Sequence, residues 1–393
     1  MSQSINLADI KNVTFNGTAI KIINLDGVEI WSGSIEGDSL SLESQIYPSV
    51  PGGYRFGSSV AVSDNRIVVG TYDGQQSGVV GSIYIYDING TQLHHITSPG
   101  GINGDQFGTQ VAVSDTSILI SAPRDNNIGA AYLYSIDGVY QAKLVPPDGS
   151  AYDNFGSFTI AISNTVIAIG APDHDTPYQS SGALYLYSTS GSFLTKITAH
   201  DTQFFDRFGN NVAASDTRIV VSALGDDDLG DTAGAAYLYN INGSFIKKIT
   251  AYDGQANDVF GAPVAISDTV IAIGAPSREH PTQRGAVYIY DVDGTLITKV
   301  IAYDSEDYDN FGSSISVSDS LIAIGSRADD DNGVLSSGSV YLYDTSGVFL
   351  AKITATNSAQ GDWFGYPVGV SDRALVAGSY KHNGQTGTIY IYK

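Results

Sequence analysis

The chain has 393 residues, 42% of them apolar, with 44 Gly, 25 Tyr, one Met and no Cys. That is long enough for more than one domain and too apolar for disorder, and the absence of Cys excludes disulfides, thiolate metal sites and Cys nucleophiles. Nineteen Lys and Arg against 41 Asp and Glu leave a formal charge of −22, which repels phosphate backbones and anionic lipid, so nucleic acid and membrane are set aside as partners.

The opening MSQSINLADIKNVTF has no cationic start and no apolar run of about 7–15 residues, and nowhere do about 18 apolar residues run together. Neither a secretory leader nor a spanning helix is expected. Within residues 1–34, VTFNGTAIKIINLDGVEIWSG alternates apolar and polar residues around Asn16-Gly17 and Asp26-Gly27, which predicts a three-stranded meander. So small a sheet needs a partner surface, and Val13, Phe15, Ile20, Ile22, Ile30 and Trp31 are its candidate anchoring residues. Residues 35–55 read as a linker that includes one further strand.

Residues 56–393 repeat. A Phe-Gly pair recurs at Phe56, Phe107, Phe155, Phe208, Phe260, Phe311 and Phe364, at spacings of 51, 48, 53, 52, 51 and 53. The fifth copy shows the pattern: APVAIS, a turn at Ser267-Asp268-Thr269, VIAIGA, a longer loop, GAVYIYD, a turn at Asp293-Gly294, and TLITKVIA. Four short apolar runs bounded by turn residues are four antiparallel strands, and seven such units predict an all-β, seven-bladed β-propeller of four-stranded blades. Tyr pairs two residues apart, from Tyr84 and Tyr86 to Tyr390 and Tyr392, recur in every copy and place both rings on one sheet face, as packing between blades requires. The last copy stops after its third strand, so residues near Ser41 to Tyr47 are expected to supply the outer strand of blade seven and remove an open edge.

The recurring FGxSVAVSDxxIVVGAP, loop, GAVYIYD resembles the FG-GAP repeat, the propeller unit of integrin α-subunit heads and of bacterial and phage surface proteins. Gly-Ala-Pro stands intact at Gly170 to Pro172 and Gly274 to Pro276, is Ser-Ala-Pro at Ser121 to Pro123, and has drifted elsewhere. The resemblance implies calcium loops between the first two strands, but here only a tight turn lies there. Asp64, Asp115, Asn164, Asp216, Asp268, Asp319 and Asp372 each follow a Ser with no carboxylate close in sequence, which predicts turn residues and no metal. Residues 1–34 resemble the short N-terminal β modules of tailed-phage structural proteins.

Acidic runs occur instead between the second and third strands: Asp173 and Asp175, Asp226 to Asp228 with Asp231, and Asp329 to Asp331. In DDDLGD and DDDNG the Gly falls at the fifth place and no bidentate Glu follows, so solvated loop charge is the first reading and cation binding the second. Asp105, Asp153, Asp206, Asp258, Asp309 and Asp362 stand two residues before a Phe-Gly, a regularity that predicts a structural turn. No GxSxG, HExxH or phosphate-binding loop is present and the six His share no ligand spacing; His200 takes the place of Tyr252 and Tyr303 as a strand-end side chain. No catalysis and no cofactor are expected.

Strand alternation puts the loops between strands two and three and the blade-to-blade loops on one face. These loops vary, whereas the opposite turns are short and uniform. The candidate ligand-binding residues on the variable face are Tyr178, Phe204, Phe205, Asp226, Asp227, Asp228, Tyr308, Asp329, Asp330, Asp331 and Trp363, a mixture suited to glycan or protein. With no leader, an anchoring module and one variable face, the expected function is a phage virion protein, tail fibre or spike, held to other virion proteins by residues 1–34 and recognising the host surface. A head fibre or capsid decoration protein, a bacterial surface adhesin and a glycan-cleaving propeller remain open, as does self-association.

Overall fold

The computed structural model describes residues 23–25, 28–31, 40–49, 55–71, 80–100, 104–277, 282–331 and 333–393. Seven four-stranded antiparallel sheets follow one another along the chain. Blade four is representative: Phe208–Ala214, Arg218–Ala223, Ala235–Asn240 and Phe245–Ile249 pair in sequence order. The second and third strands are buried on both faces, which is why RIVVSA and AAYLY read as continuous small, β-branched and aromatic runs; the fourth strand, FIKKI, is partly exposed at the rim. First strands from all seven blades line a channel along the axis.

The ring closes with a strand from the other end of the chain. Leu42–Ile46 pairs with Thr388–Tyr392, Gln45 opposite Tyr390 and Ile46 opposite Ile389, and so supplies the fourth strand of blade seven. Ser41 and Lys393 exchange backbone hydrogen bonds of 2.8 and 3.2 Å at the end of this pair.

The core is not central. Each buried apolar cluster spans two neighbouring blades: Leu184 and Leu186 of blade three pack with Phe208, Tyr237 and Tyr239 of blade four, and Ile389 and Ile391 of blade seven with Phe56, Tyr84 and Tyr86 of blade one. Within each blade the Phe of Phe-Gly meets the first Tyr of the pair edge-on, as Phe208 does Tyr237 at 5.3 Å between ring centres and 84°. Such an aromatic contact adds about 1 kcal/mol beyond the area it buries. The Tyr pairs are therefore packing residues, as their recurrence predicts.

Outside the seven sheets, Ile23–Leu25 and Val28–Trp31 form a two-stranded sheet of their own. Ile30 and Trp31 lie on its second strand. Val13, Phe15, Ile20 and Ile22, and any third strand of the expected meander, lie outside the described residues.

Candidate functional site

The first strand of every blade runs from the variable face to the uniform one, so each Phe-Gly stands at the variable face and each Ser-Asp turn at the other. On the variable face the aromatic candidates separate into groups. Tyr178, from a loop of blade three, packs against Phe204, from the segment leading into blade four, with the rings tilted and their centres 4.7 Å apart, and Phe205 beside them is about half exposed. Tyr308 is exposed in the segment before blade six. Trp363, before blade seven, packs on Tyr366 at 6.1 Å and Tyr380 at 5.9 Å.

The acidic runs correct the sequence reading. Asp226 and Asp329 are 4% exposed and are not solvated loop charge. They join a motif built into the blades, in which a fourth-strand Lys meets an Asp of the segment that leads into the same blade, and the first Tyr of the pair donates its hydroxyl to the same Asp. Lys196 and Tyr185 meet Asp148, Lys248 and Tyr237 meet Asp201, Lys299 and Tyr288 meet Asp253, and Lys352 and Tyr341 meet Asp304, all at 2.6 to 2.9 Å. Asp226 adds a second carboxylate, 2.7 Å from Lys248 Nζ and 3.0 Å from the Tyr237 hydroxyl; Asp329 does the same for Lys352 at 2.8 Å. The exposed Asp228 also reaches Lys248, at 2.6 Å, and Asp331 lies 3.8 Å from Lys352. Asp227 and Asp330 stay exposed, Asp330 accepting the Ser336 N–H.

Asp201, Asp226 and Asp228 place carboxylate oxygens within 4.8 Å of one another, the one such trio among the described residues. The Lys248 ammonium contacts all three, occupying the position where a cation would stand. Burial opposes charge on Lys248, but the three carboxylates outweigh it and hold its proton more tightly than usual. Likewise burial alone would raise Asp201, Asp148 and Asp304, yet hydrogen bonds from their Lys and Tyr partners keep all three below the ordinary value.

In blades three to seven the Asp two residues before Phe-Gly caps its own loop: Asp206 accepts the Gln203 N–H at 2.6 Å and Asp309 that of Glu306 at 2.6 Å. Burial pushes both up to about 6; that backbone bond opposes the shift, while the charges of Asp226 and Asp329 reinforce it. In blades three and seven a buried His stands where Asp226 and Asp329 stand, His174 bonding Asp153 at 2.8 Å and His382 bonding Asp362 at 2.7 Å. Sequence reasoning missed this pairing because its partners are about 20 residues apart. His200 packs on Phe245 at 4.5 Å, matching Tyr303 on Phe349.

At the uniform face, Ser and not Asp makes the turn: Ser63, Ser215 and Ser318 Oγ accept backbone N–H groups three residues on. The Asp that follows each Ser is not isolated. Asp64, Asp115, Asp216, Asp268, Asp319 and Asp372, with Asn164, ring the channel mouth, and Asn164 Nδ2 bridges Asp115 at 2.9 Å and Asp216 at 3.3 Å.

The opposite mouth is chemically unlike it. A cavity of about 440 Å³ opens there, lined by the residues that directly follow Phe-Gly in several blades, among them Gln110, Phe158, Asn210, Asn211 and Tyr366, together with Gln283, Asn310, Arg207 and Arg327. Its described lining contains no carboxylate.

Among comparisons with known proteins, no curated protein matches the chain. The FG-GAP repeat family matches six segments: residues 91–134, 139–187, 192–239, 244–290, 295–343 and 348–392. Each begins at the fourth strand of one blade and ends with the third strand of the next. Leu42–Ile46 followed by blade one has the same order of strands without being matched, and supplies the seventh unit of the ring. With well over half of its length matched and seven blades in register, the chain belongs to the FG-GAP repeat family.

Proposed function

We propose that this chain is a non-catalytic recognition protein of a phage particle, tethered through residues 1–34 and presenting the variable face of its propeller to the host surface. The observation that carries this reading is the path of the chain into the ring. Leu42–Ile46 runs antiparallel to Thr388–Tyr392, so the preceding segment arrives at the uniform face, beside Lys393, and the variable loops face away from it. A rigid scaffold with its tether behind and its irregular loops in front suits contact with an external partner. The separate pairing of Ile23–Leu25 with Val28–Trp31 agrees with a distinct tethering unit. The buried carboxylates and His residues described above are each bound to a Lys, a Tyr, a backbone N–H or an Asp that recurs with the blade, a pattern suited to stability more than to turnover.

The test is adsorption. Purified full-length chain is expected to bind host cells and to compete with infection by the particle that carries it, without releasing saccharide from the cells. Failure to adsorb at micromolar concentration overturns the recognition reading, and released oligosaccharide overturns the non-catalytic one.

A further inference from the structure

The two mouths of the axial channel differ in charge. Six Asp side chains surround one, whereas the cavity at the other is lined by Arg207 and Arg327 among five amide side chains. In a chain of net charge −22 this is an exceptional place. The Arg327 guanidinium is held by the Asn310 amide oxygen at 3.1 and 3.2 Å and lies over the Trp363 and Tyr366 rings at 5.2 and 5.4 Å. Lys381 lies against the face of the same Trp363. Neither Arg327 nor Lys381 has a carboxylate within ion-pair distance among the described residues, and Arg207 has one, Asp173, at 3.4 Å. Burial, with the nearby positive charges of Arg55 and Arg327, lowers the proton affinity of Lys381.

We propose that this cavity is a binding site for an acidic saccharide, the sugar's carboxylate or sulfate seated on Arg327 and Arg207 and its hydroxyls on the ring of amides. A guanidinium fork matches the planar pair of carboxylate oxygens and two of the three on a sulfate, and it is already oriented by Asn310 and the aromatic rings. Side-chain amides offer both donors and acceptors, as sugar hydroxyls require. The exposed Phe158 and the half-buried Tyr366 supply flat apolar surface for the faces of sugar rings. The volume of about 440 Å³ suits one to two sugar residues. This proposal rests on the recognition reading and names its ligand class.

The sequence signal is the pair of residues after Phe-Gly. These are Thr-Gln, Ser-Phe, Asn-Asn, Ala-Pro, Ser-Ser and Tyr-Pro in blades two to seven, variable within an otherwise regular strand.

The experiment is a glycan array probed with the full-length chain at physiological salt, with carboxylated, sulfated and neutral saccharides of matched backbone as separate arms, followed by titration of the best acidic hit against Arg327→Gln and Arg207→Gln. Acidic saccharides are expected to bind at least tenfold more tightly than neutral counterparts, and each variant to lose at least tenfold. Because Arg207 is largely exposed, its variant is expected to keep the wild-type melting temperature. A flat array, a preference for neutral sugars, or acidic binding that survives both substitutions overturns the proposal. A chain that adsorbs to host cells while the array stays flat refutes the acidic-saccharide site and leaves the recognition reading intact; a chain that does neither refutes both.

Discussion

The backbone oxygen of Phe56 lies so close to Gly387 that a β-carbon on the glycine would sit 2.0 Å from it. This contact closes the ring, since Phe56 opens blade one and Gly387 precedes the third strand of blade seven. The same pair recurs between other neighbours, Gly182 with Phe208 and Gly285 with Phe311, where the added atom would be 2.1 Å away. Gly387 also has φ +81°, a region that costs an L-residue about 1–2 kcal/mol. Gly104 has the same φ with open space around it. Gly387→Ala is therefore expected to lower the melting temperature several degrees more than Gly104→Ala. Equal effects in thermal denaturation would show that the seam yields to an extra methyl group.

Removal of residues 1–50 takes away Leu42–Ile46 and exposes the edge of Thr388–Tyr392, whereas removal of 1–34 spares that strand. The longer truncation is expected to melt markedly lower and to self-associate through the bared edge. Matching melting temperatures for the two would contradict closure by this strand.

Lys248→Met leaves the buried Asp226 beside Asp201 and Asp228 without its cation. Breaking a buried pair in this way costs about 3–5 kcal/mol. Millimolar calcium is expected to restore part of the loss in the variant, because three carboxylates then converge on an open position, while chelator and calcium leave the wild type unchanged. Calcium sensitivity of the wild-type melting temperature would overturn the view that Lys248 has taken over the cation's place.

Asp206 and Asp309 titrate near pH 6, above the ordinary 3.8. Above pH 6 both are ionised in the folded and the unfolded chain, and the folded state bears the full cost of their burial. As the pH falls from 6 towards 4 the folded chain takes up protons that the unfolded chain does not, so these two groups add stability. Below that range the gain is complete, and Asp148, Asp201 and Asp304, held low in the folded chain, begin to lose their Lys contacts. A higher melting temperature at pH 5 than at pH 7 is expected, and Asp206→Asn with Asp309→Asn should flatten the difference. An unchanged slope in the double variant would assign the effect to other groups.

The blade was legible because its determinants are local and repeated: Phe-Gly, the Tyr pair and the Ser-Asp turn recur at spacings that only a stacked ring satisfies. The site was less legible. Asp64 and its six counterparts are about 50 residues apart and meet only because seven blades share an axis, so local spacing marked them as isolated. Asp226 reads as loop charge until the fold brings Lys248 and Tyr237 to it. The residues after Phe-Gly looked like ordinary strand positions, and their variability acquires meaning only once those of several blades border one cavity.

The way the chain enters blade seven also sets how the molecule bears load. A pull on the N-terminal segment, with the variable face held, acts along Leu42–Ile46 and slides it lengthwise against Thr388–Tyr392. The backbone hydrogen bonds between the two strands, and those joining Ser41 to Lys393, are then strained together instead of opening one after another. The ring hangs from a lap joint, which resists shear in proportion to its overlap, and not from a zipper that fails at its first tooth.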